Sequence, residues 1–509
     1  MRRRGPHENF PIAPPDPAAP APLYLQLVDG IEDGIRQGRL QVGQRLPAER
    51  DLAAQLGVSR TTVTGAYQEL EARGLLRGHV GRGTIVVGTP AGTPGGASRA
   101  TLAWPQRASQ MATQAAQIWF GIPRTHPDIV AFDSGWPDPK LYPVEALESL
   151  LGELVGKSSA ELYAGAPPAG DPILREVLSR WLASRGIRTE PEAILITTGA
   201  LQGLNVVARA FLAPGDVVVT ESPTFQCALM AFRWAGAEVV GVPVDHEGIE
   251  VEALEEALAR HRPKLMYLLP TFHNPTGVLL SRERRRAVLE LAARYRVPIV
   301  ESDLYGEIFF EDPPPPRLAA LDQTGLVIYQ GSFSKIAVPG LRVGWLAAPR
   351  GAMVPLTAAK GYVDLHTGEL AQRLVAAFFR SPHFERHLGR LRDECRVRRD
   401  QMVAALRLHC PDLRFRVPPG GYYVWAELPA PVTTDELLPS AAEHGVAVRP
   451  GPQFAPDGGL DDHVRLCFAA LEPRQIAEGI RRLGSALEQA RGRLERRPHR
   501  ASVAAASVV

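Results

Sequence analysis

What most constrains the fold is a break at residue 88, where GTPAGTPGGAS interrupts the chain with glycine, proline and small polar residues. Such composition favours an open backbone over any regular element, so the segment reads as a linker. With the ambiguous stretch Thr101–Thr125 it is taken to extend from 88 to 127. A short block precedes it and a much longer one follows, and 509 residues suit one small and one large domain. Hydrophobic residues at 45% and charged residues at 22% are enough for a sizeable core. The formal net charge of +2 selects no class of partner, so any claim about nucleic acid must rest on local pattern. Four scattered cysteines, Cys227, Cys395, Cys410 and Cys467, form no CxxC pair. A reduced cytoplasmic protein with no metal site is expected. The start, MRRRGPHENFPIAPPDPAAPAP, is basic and then proline-rich without an apolar signal-peptide core, and no later apolar run would span a membrane. Residues 1–21 read as a disordered leader and 490–509 as a disordered tail.

Residues 22–87 carry helical periodicity. Tyr24, Leu27, Val28, Ile31 and Ile35 form one stripe, stopped at Gly38. A short helix from Glu49 to Leu56 closes at Gly57, and Ser59 then caps a third helix with its stripe at Val63, Ala66, Tyr67 and Leu70. Two short helices about a glycine turn are helix-turn-helix geometry. The run LLRGHVGRGTIVV reads as two strands around a tip, which is a wing. Alone, this pattern also suits a small protein-interaction module. The segments RLPAERDLA and GVSRTTV, however, lie in a block that resembles the GntR family of DNA-binding domains nearly end to end. The resemblance implies contacts to double-stranded operator DNA from Arg45, Arg50, Ser59, Arg60, Thr61 and Thr62, with His79 and Arg82 on the wing.

From residue 128 to 489, apolar strand-like runs alternate with helical patterns, which argues for an α/β domain with a doubly wound, mainly parallel sheet. Candidate strands are Ala193–Thr197, Asp216–Thr220, Ala237–Gly241, Leu265–Leu269, Pro298–Asp303, Val327–Gln330 and Arg342–Ala347. Lysine is scarce in this chain: Lys140, Lys157, Lys264, Lys335 and Lys360 are all it has. Lys335 sits in GSFSKIAVPGLR, with Ser332, Ser334 and Arg342 close by, so amine, hydroxyls and guanidinium can converge on a phosphorylated ring. Lys264 and Lys360 read as solvated surface residues. Gly199, Ala200 and Leu201, where a strand turns into a helix, offer backbone N–H groups to a phosphate. Phe225 can stack on a ring. Asp303 can sit beside a pyridine nitrogen, and Asn274 and Tyr305 can bond a phenolic oxygen. Singly these have everyday roles as cap, turn residue or core aromatic.

Together and in this order they resemble the fold-type I aminotransferases, with a large mixed-sheet part and a smaller C-terminal α+β part. The resemblance implies pyridoxal 5'-phosphate held as an aldimine on Lys335, Arg465 gripping an anion on a small amine or amino acid, and Tyr163 reaching the partner subunit's cofactor in a homodimer. A GntR-type head on such a body is the architecture of the MocR subfamily of transcription regulators, located in the cytoplasm at the nucleoid. The implied function is a regulator that senses the cofactor itself or an amino compound. The alternative is a working aminotransferase with a DNA-binding appendage. Asn274, Asp303, Tyr305, Lys335 and Arg465 are all present, and on this reading no cofactor position is degraded.

Overall fold

The structure, a computed structural model, describes residues 10–79, 83–88, 107–120, 122, 126, 128–156 and 160–496, except 18 and 20. It divides into two compact units, Met1–Thr113 and Gln114–Val509.

In the first unit, α1 (Leu23–Arg36) buries Leu27, Val28, Ile31 and Ile35 along one stripe. Helix α2 (Glu49–Leu56) stops at Gly57, whose φ of +69° suits a residue without a Cβ. Helix α3 (Arg60–Ala72) starts behind Ser59, which accepts the Thr62 N–H at 3.1 Å. Buried Tyr67 donates to the Pro47 carbonyl at 2.8 Å, and Arg73 joins Glu32 of α1 to Glu69 of α3 at 2.7 and 3.1 Å. The hairpin of β1 (Leu76–His79) and β2 (Gly83–Val86) pairs Leu76 with Val86 and forms the wing. Its tip, Arg82 included, lies outside the described residues.

The expectation of a disordered leader over 1–21 needs correcting from Phe10 onward. Ile12 joins the core of this unit. It fills a groove that only glycine leaves open: a Cβ on Gly30 would stand 2.8 Å from Ile12 Cγ2. Arg39 adds a bond to the Pro11 carbonyl at 2.8 Å. Proline-rich composition conceals this, because a single apolar residue has no periodicity to detect.

In the second unit, β3 (Val130–Ala131) pairs in parallel with β14 (Val446–Ala447). The main sheet contains β4 (Ile194–Thr197), β5 (Val217–Ser222), β6 (Glu238–Asp245), β7 (Gly248–Ile249), β8 (Leu265–Leu268), β9 (Ile299–Ser302), β10 (Val327–Ser332) and β11 (Gly344–Ala347). Their order is β4-β11-β10-β9-β8-β5-β6-β7, parallel from β10 through β6, with β11 antiparallel to both its neighbours. Strand side chains alternate between two helical layers. Val218, Tyr267, Val300 and Ile328 pack under helices Ala200–Phe211 and Gln226–Trp234. Val219, Met266, Ile299 and Val327 pack under Val251–His261 and Arg282–Tyr295. The C-terminal part adds an antiparallel sheet in the order β12 (Arg414–Phe415), β13 (Tyr423–Glu427), β16 (His463–Cys467), β15 (Arg449–Pro450).

Two further boundaries differ from expectation. The stretch taken as linker contains the helix Gln110–Phe120, and its Ile118 carbonyl accepts from Arg449 at 2.6 Å. The last helix, Pro473–Arg496, runs past residue 489 because Ala490 is still fully buried. Among the described residues no helix is long and apolar enough to cross a membrane.

Candidate cofactor and DNA sites

The C-terminal ends of the parallel strands open into a pocket of about 480 Å³ in which Lys335, Arg342 and Arg465 all take part. At one end the helix Ala200–Phe211 begins, with Ala200 and Leu201 on the pocket wall. Gly199 precedes it at φ +90°, and a Cβ there would stand 2.5 Å from Arg342 Nη2. No other residue fits that turn without displacing the guanidinium. Arg342 donates to Ser334 Oγ and to the Thr198 carbonyl, both at 3.3 Å, and Ser332 Oγ accepts the Ser334 N–H at 3.2 Å. A helix N-terminus, hydroxyls and a guanidinium thus converge as an anion cup. Thr198 and Gln202 brace it through Asp364 at 3.0 and 2.6 Å. Asp364 in turn pairs with Lys360. Lys360 is therefore fully buried, not the solvated surface lysine expected from its polar neighbours.

Lys335 lies at the centre. Its Nζ donates to the Gly135 carbonyl at 2.7 Å and sits 3.6 Å from the centroid of the Trp136 ring. Burial pushes its pKa down to about 7, so much of the amine is neutral and nucleophilic at physiological pH. Phe225 lines the same pocket, and Tyr305 shares a 2.8 Å hydrogen bond with Tyr423. Arg465, on β16, is held from several sides. It donates to Asn274 Oδ1 at 3.1 Å and to the carbonyls of Asp133 and Ser134 at 3.1 and 3.0 Å, and its guanidinium carbon lies 4.1 Å from the Tyr423 ring centroid. Gly135, Trp136, Tyr423 and Arg449 were not singled out from sequence. The Gly-aromatic segments SGWPD and GGYYV and the arginine of RPGPQF were the available signals.

Asp303 requires a correction. It continues the β9 alternation on the face of Ile299 and Glu301, away from the pocket. Its carboxylate accepts the Gly306 N–H at 2.9 Å, Arg317 Nε at 2.8 Å and the Tyr329 hydroxyl at 3.0 Å. The side chain of β9 that shares the pocket's face is Ser302, so one cofactor position does depart from the expected pattern. Tyr163 sits in a short 3-10 turn, 70% exposed, and does not line this pocket.

In the first unit, Arg60 opens α3 with 72% of its side chain exposed and pairs with Glu49 at 3.4 Å. Ser59 Oγ lies 2.7 and 2.8 Å from the hydroxyls of Thr61 and Thr62. Arg45 and Arg50 are exposed, and Arg45 bridges to Ile85 of β2. His79 closes β1, but its side chain lies outside the described residues.

The bacterial regulatory proteins of the gntR family match residues 23–86, and aminotransferase class I and II matches residues 149–483. The chain is 32% identical over 497 residues to the HTH-type transcriptional regulator TauR of Rhodobacter capsulatus, covering 95% of this chain and 99% of that protein. It is 31% identical over 485 residues to the probable rhizopine catabolism regulatory protein MocR of Rhizobium meliloti, covering 92% and 95%. The chain belongs to the MocR-type transcriptional regulators. In such a regulator a DNA-binding head is fused to a body with the fold of pyridoxal phosphate-dependent aminotransferases. The body of this MocR-type chain resembles LysN, the alpha-aminoadipate aminotransferase of Thermus thermophilus, complexed with N-(5'-phosphopyridoxyl)-L-leucine. The two share 35% identity and a TM-score of 0.70 over 76% of this chain and 99% of that one. The pocket's anion cup fits the cofactor's phosphate, and the buried amine of Lys335 fits its aldehyde.

Proposed function

We propose that this regulator converts occupancy of the Lys335 pocket by an amine bearing a carboxylate, or a similar anion, into a change in DNA affinity. The observation that carries this is the presence of Lys335 and Arg465 in one pocket of a chain that also has a DNA-binding head. Pyridoxal phosphate, when bound, supplies an aldehyde that condenses reversibly with amines. Lys335 would hold it in the resting protein. An arriving amine would release Lys335 to the Gly135 carbonyl and the Trp136 ring. Arg465 would take the amine's anion bidentately, a contact lysine could not copy, and relax its hold on Asn274 and the 133–134 carbonyls. Pocket residues thus have two arrangements, which is what a ligand must discriminate to shift an equilibrium.

The head would read its operator with Arg60, Thr61 and Thr62 from the first turn of α3. Arg45, Arg50, Ser59 and the wing residues His79 and Arg82 would meet the backbone. The body would act as a homodimer. Tyr362 and Leu365, 96% and 71% exposed, share a shallow apolar depression with Val354 and Pro168 that a second copy would cover. Tyr163 would then reach the partner's cofactor.

Borohydride reduction of the holo protein is expected to fix the cofactor on Lys335 and to fail in Lys335→Ala. In a screen of amino acids, omega-amino acids, aminosulfonates and polyamines, anionic amines should change both the absorbance and the affinity for DNA from the flanking promoter. Arg465→Ala should keep the cofactor and lose both responses. A response to polyamines alone would remove Arg465 from the recognition role, and multiple-turnover keto acid formation would favour the enzyme.

A further inference from the structure

The ends of the strands beneath the pocket carry acids on one face and neutral groups on the other. On the face of the Ala200 helix stand Thr220, Tyr267, Ser302 and Gln330, the polar continuation of the row Val218, Val300 and Ile328. Thr220 is the register partner of Tyr267, and Ser302 that of Gln330. Their acidic neighbours point the other way and are fully occupied there. Glu221 accepts the Leu269 N–H at 2.9 Å, Glu301 accepts those of Leu318 and Ala319 at 2.8 Å, and Asp303 is held by Arg317 at 2.8 Å. Asp133 does line the pocket, but on the Lys335 side: its carbonyl accepts from Arg449 and Arg465, and Gly135 beside it accepts from Lys335.

The ring nitrogen of pyridoxal phosphate lies across the ring from the carbon that Lys335 takes. In a cofactor bound through Lys335 it would look away from Gly135 and Asp133, toward the strand ends. Resting on the cofactor assignment above, we infer that this nitrogen meets the hydroxyl of Ser302 in place of a carboxylate and stays unprotonated at neutral pH. The hydroxyl is oriented by a chain of bonds. Ser302 Oγ donates its one proton to Gln330 Oε1 at 3.1 Å, and Gln330 Nε2 donates to the Ala200 carbonyl at 2.8 Å at the head of the anion cup. A bound ring nitrogen, as an acceptor, would take that proton's hydrogen bond in place of Gln330 Oε1.

The chemical consequence is selective. A protonated ring withdraws electrons from the carbon that loses a proton in transamination, and an uncharged ring does so far less. Exchange of one amine for another at the aldehyde carbon asks for no such withdrawal. It forms one carbon–nitrogen bond, breaks another and returns the proton to the departing amine. The pocket is therefore built to bind and exchange amines while turnover is suppressed.

The test loads the full-length protein with cofactor carrying 15N in the ring and reads the nitrogen's chemical shift. Wild type is expected at the unprotonated position and Ser302→Ala likewise. Ser302→Asp should move to the protonated position and speed single-turnover amino-group transfer by roughly tenfold or more. A protonated nitrogen in wild type, or an unprotonated one in a folded Ser302→Asp, overturns the inference while leaving the cofactor in place. Should Ser302→Asp not fold, the wild-type shift decides alone. Failure of borohydride to fix any adduct on Lys335 is a separate result: it removes the cofactor assignment and this inference with it.

Discussion

Lys335 owes its reactivity to burial. A lysine in water is charged until near pH 10, whereas desolvation brings this one to about 7. Only the neutral amine attacks an aldehyde. Cofactor uptake by the cofactor-free protein should therefore rise as pH passes through 7 and level off above it. Stopped-flow absorbance across that range measures this, and a rate still climbing toward pH 10 would show a solvated amine. The same depression has a sign for stability. Above pH 7 the unfolded chain binds a proton that the folded one lacks, so this group's contribution to stability rises with pH up to the unfolded value. Lys335, Arg342, Tyr305 and Arg465, proposed from motif context, line one pocket, and Asn274 accepts a hydrogen bond from Arg465. The expected acid, Asp303, faces away from the pocket, and the strand presents Ser302 on the pocket's face instead. Ser302 and Asp303 are adjacent in sequence, and only the pleat decides which faces the pocket.

Helix α3 is short, and its exposed end is free for other work. Arg60 is exposed and its ion pair with Glu49 is long, so Arg60→Ala should leave the melting temperature unchanged. If its guanidinium meets a base edge, operator affinity should fall by about 1–3 kcal/mol, with relaxed discrimination at one position. Fluorescence anisotropy on operator variants would show this, and a uniform loss across all variants would instead mean a phosphate contact. Elements were legible in proportion to their repetition. Strands β4, β8 and β11 are wholly buried and read as mostly apolar runs, while the equally buried β9 and β10 begin apolar and end polar. The helix Gln110–Phe120 has no such frame. It follows low-complexity chain, and its anchor is Arg449, far away in sequence.

At the scale of the whole molecule, the proposed sharing of each site through Tyr163 would require two bodies. Tyr362 is almost bare, and Val354 and Leu365 beside it are exposed as well. Tyr362→Glu would place a charge in the proposed interface, and sedimentation should then show a monomer that still folds. Loss of the dimer should also weaken binding to a paired operator through loss of avidity. A dimer that persists unchanged would direct attention to another surface.

The groove that receives Ile12 sets a rule for anyone borrowing this head for a synthetic gene switch. The portable unit is longer than its recognisable motif. A graft cut at residue 22 would carry Gly30 and Gly34 but not the side chain that fills the space above them, and the transplanted head would begin its new life with a hole in its core. The cut belongs before Phe10.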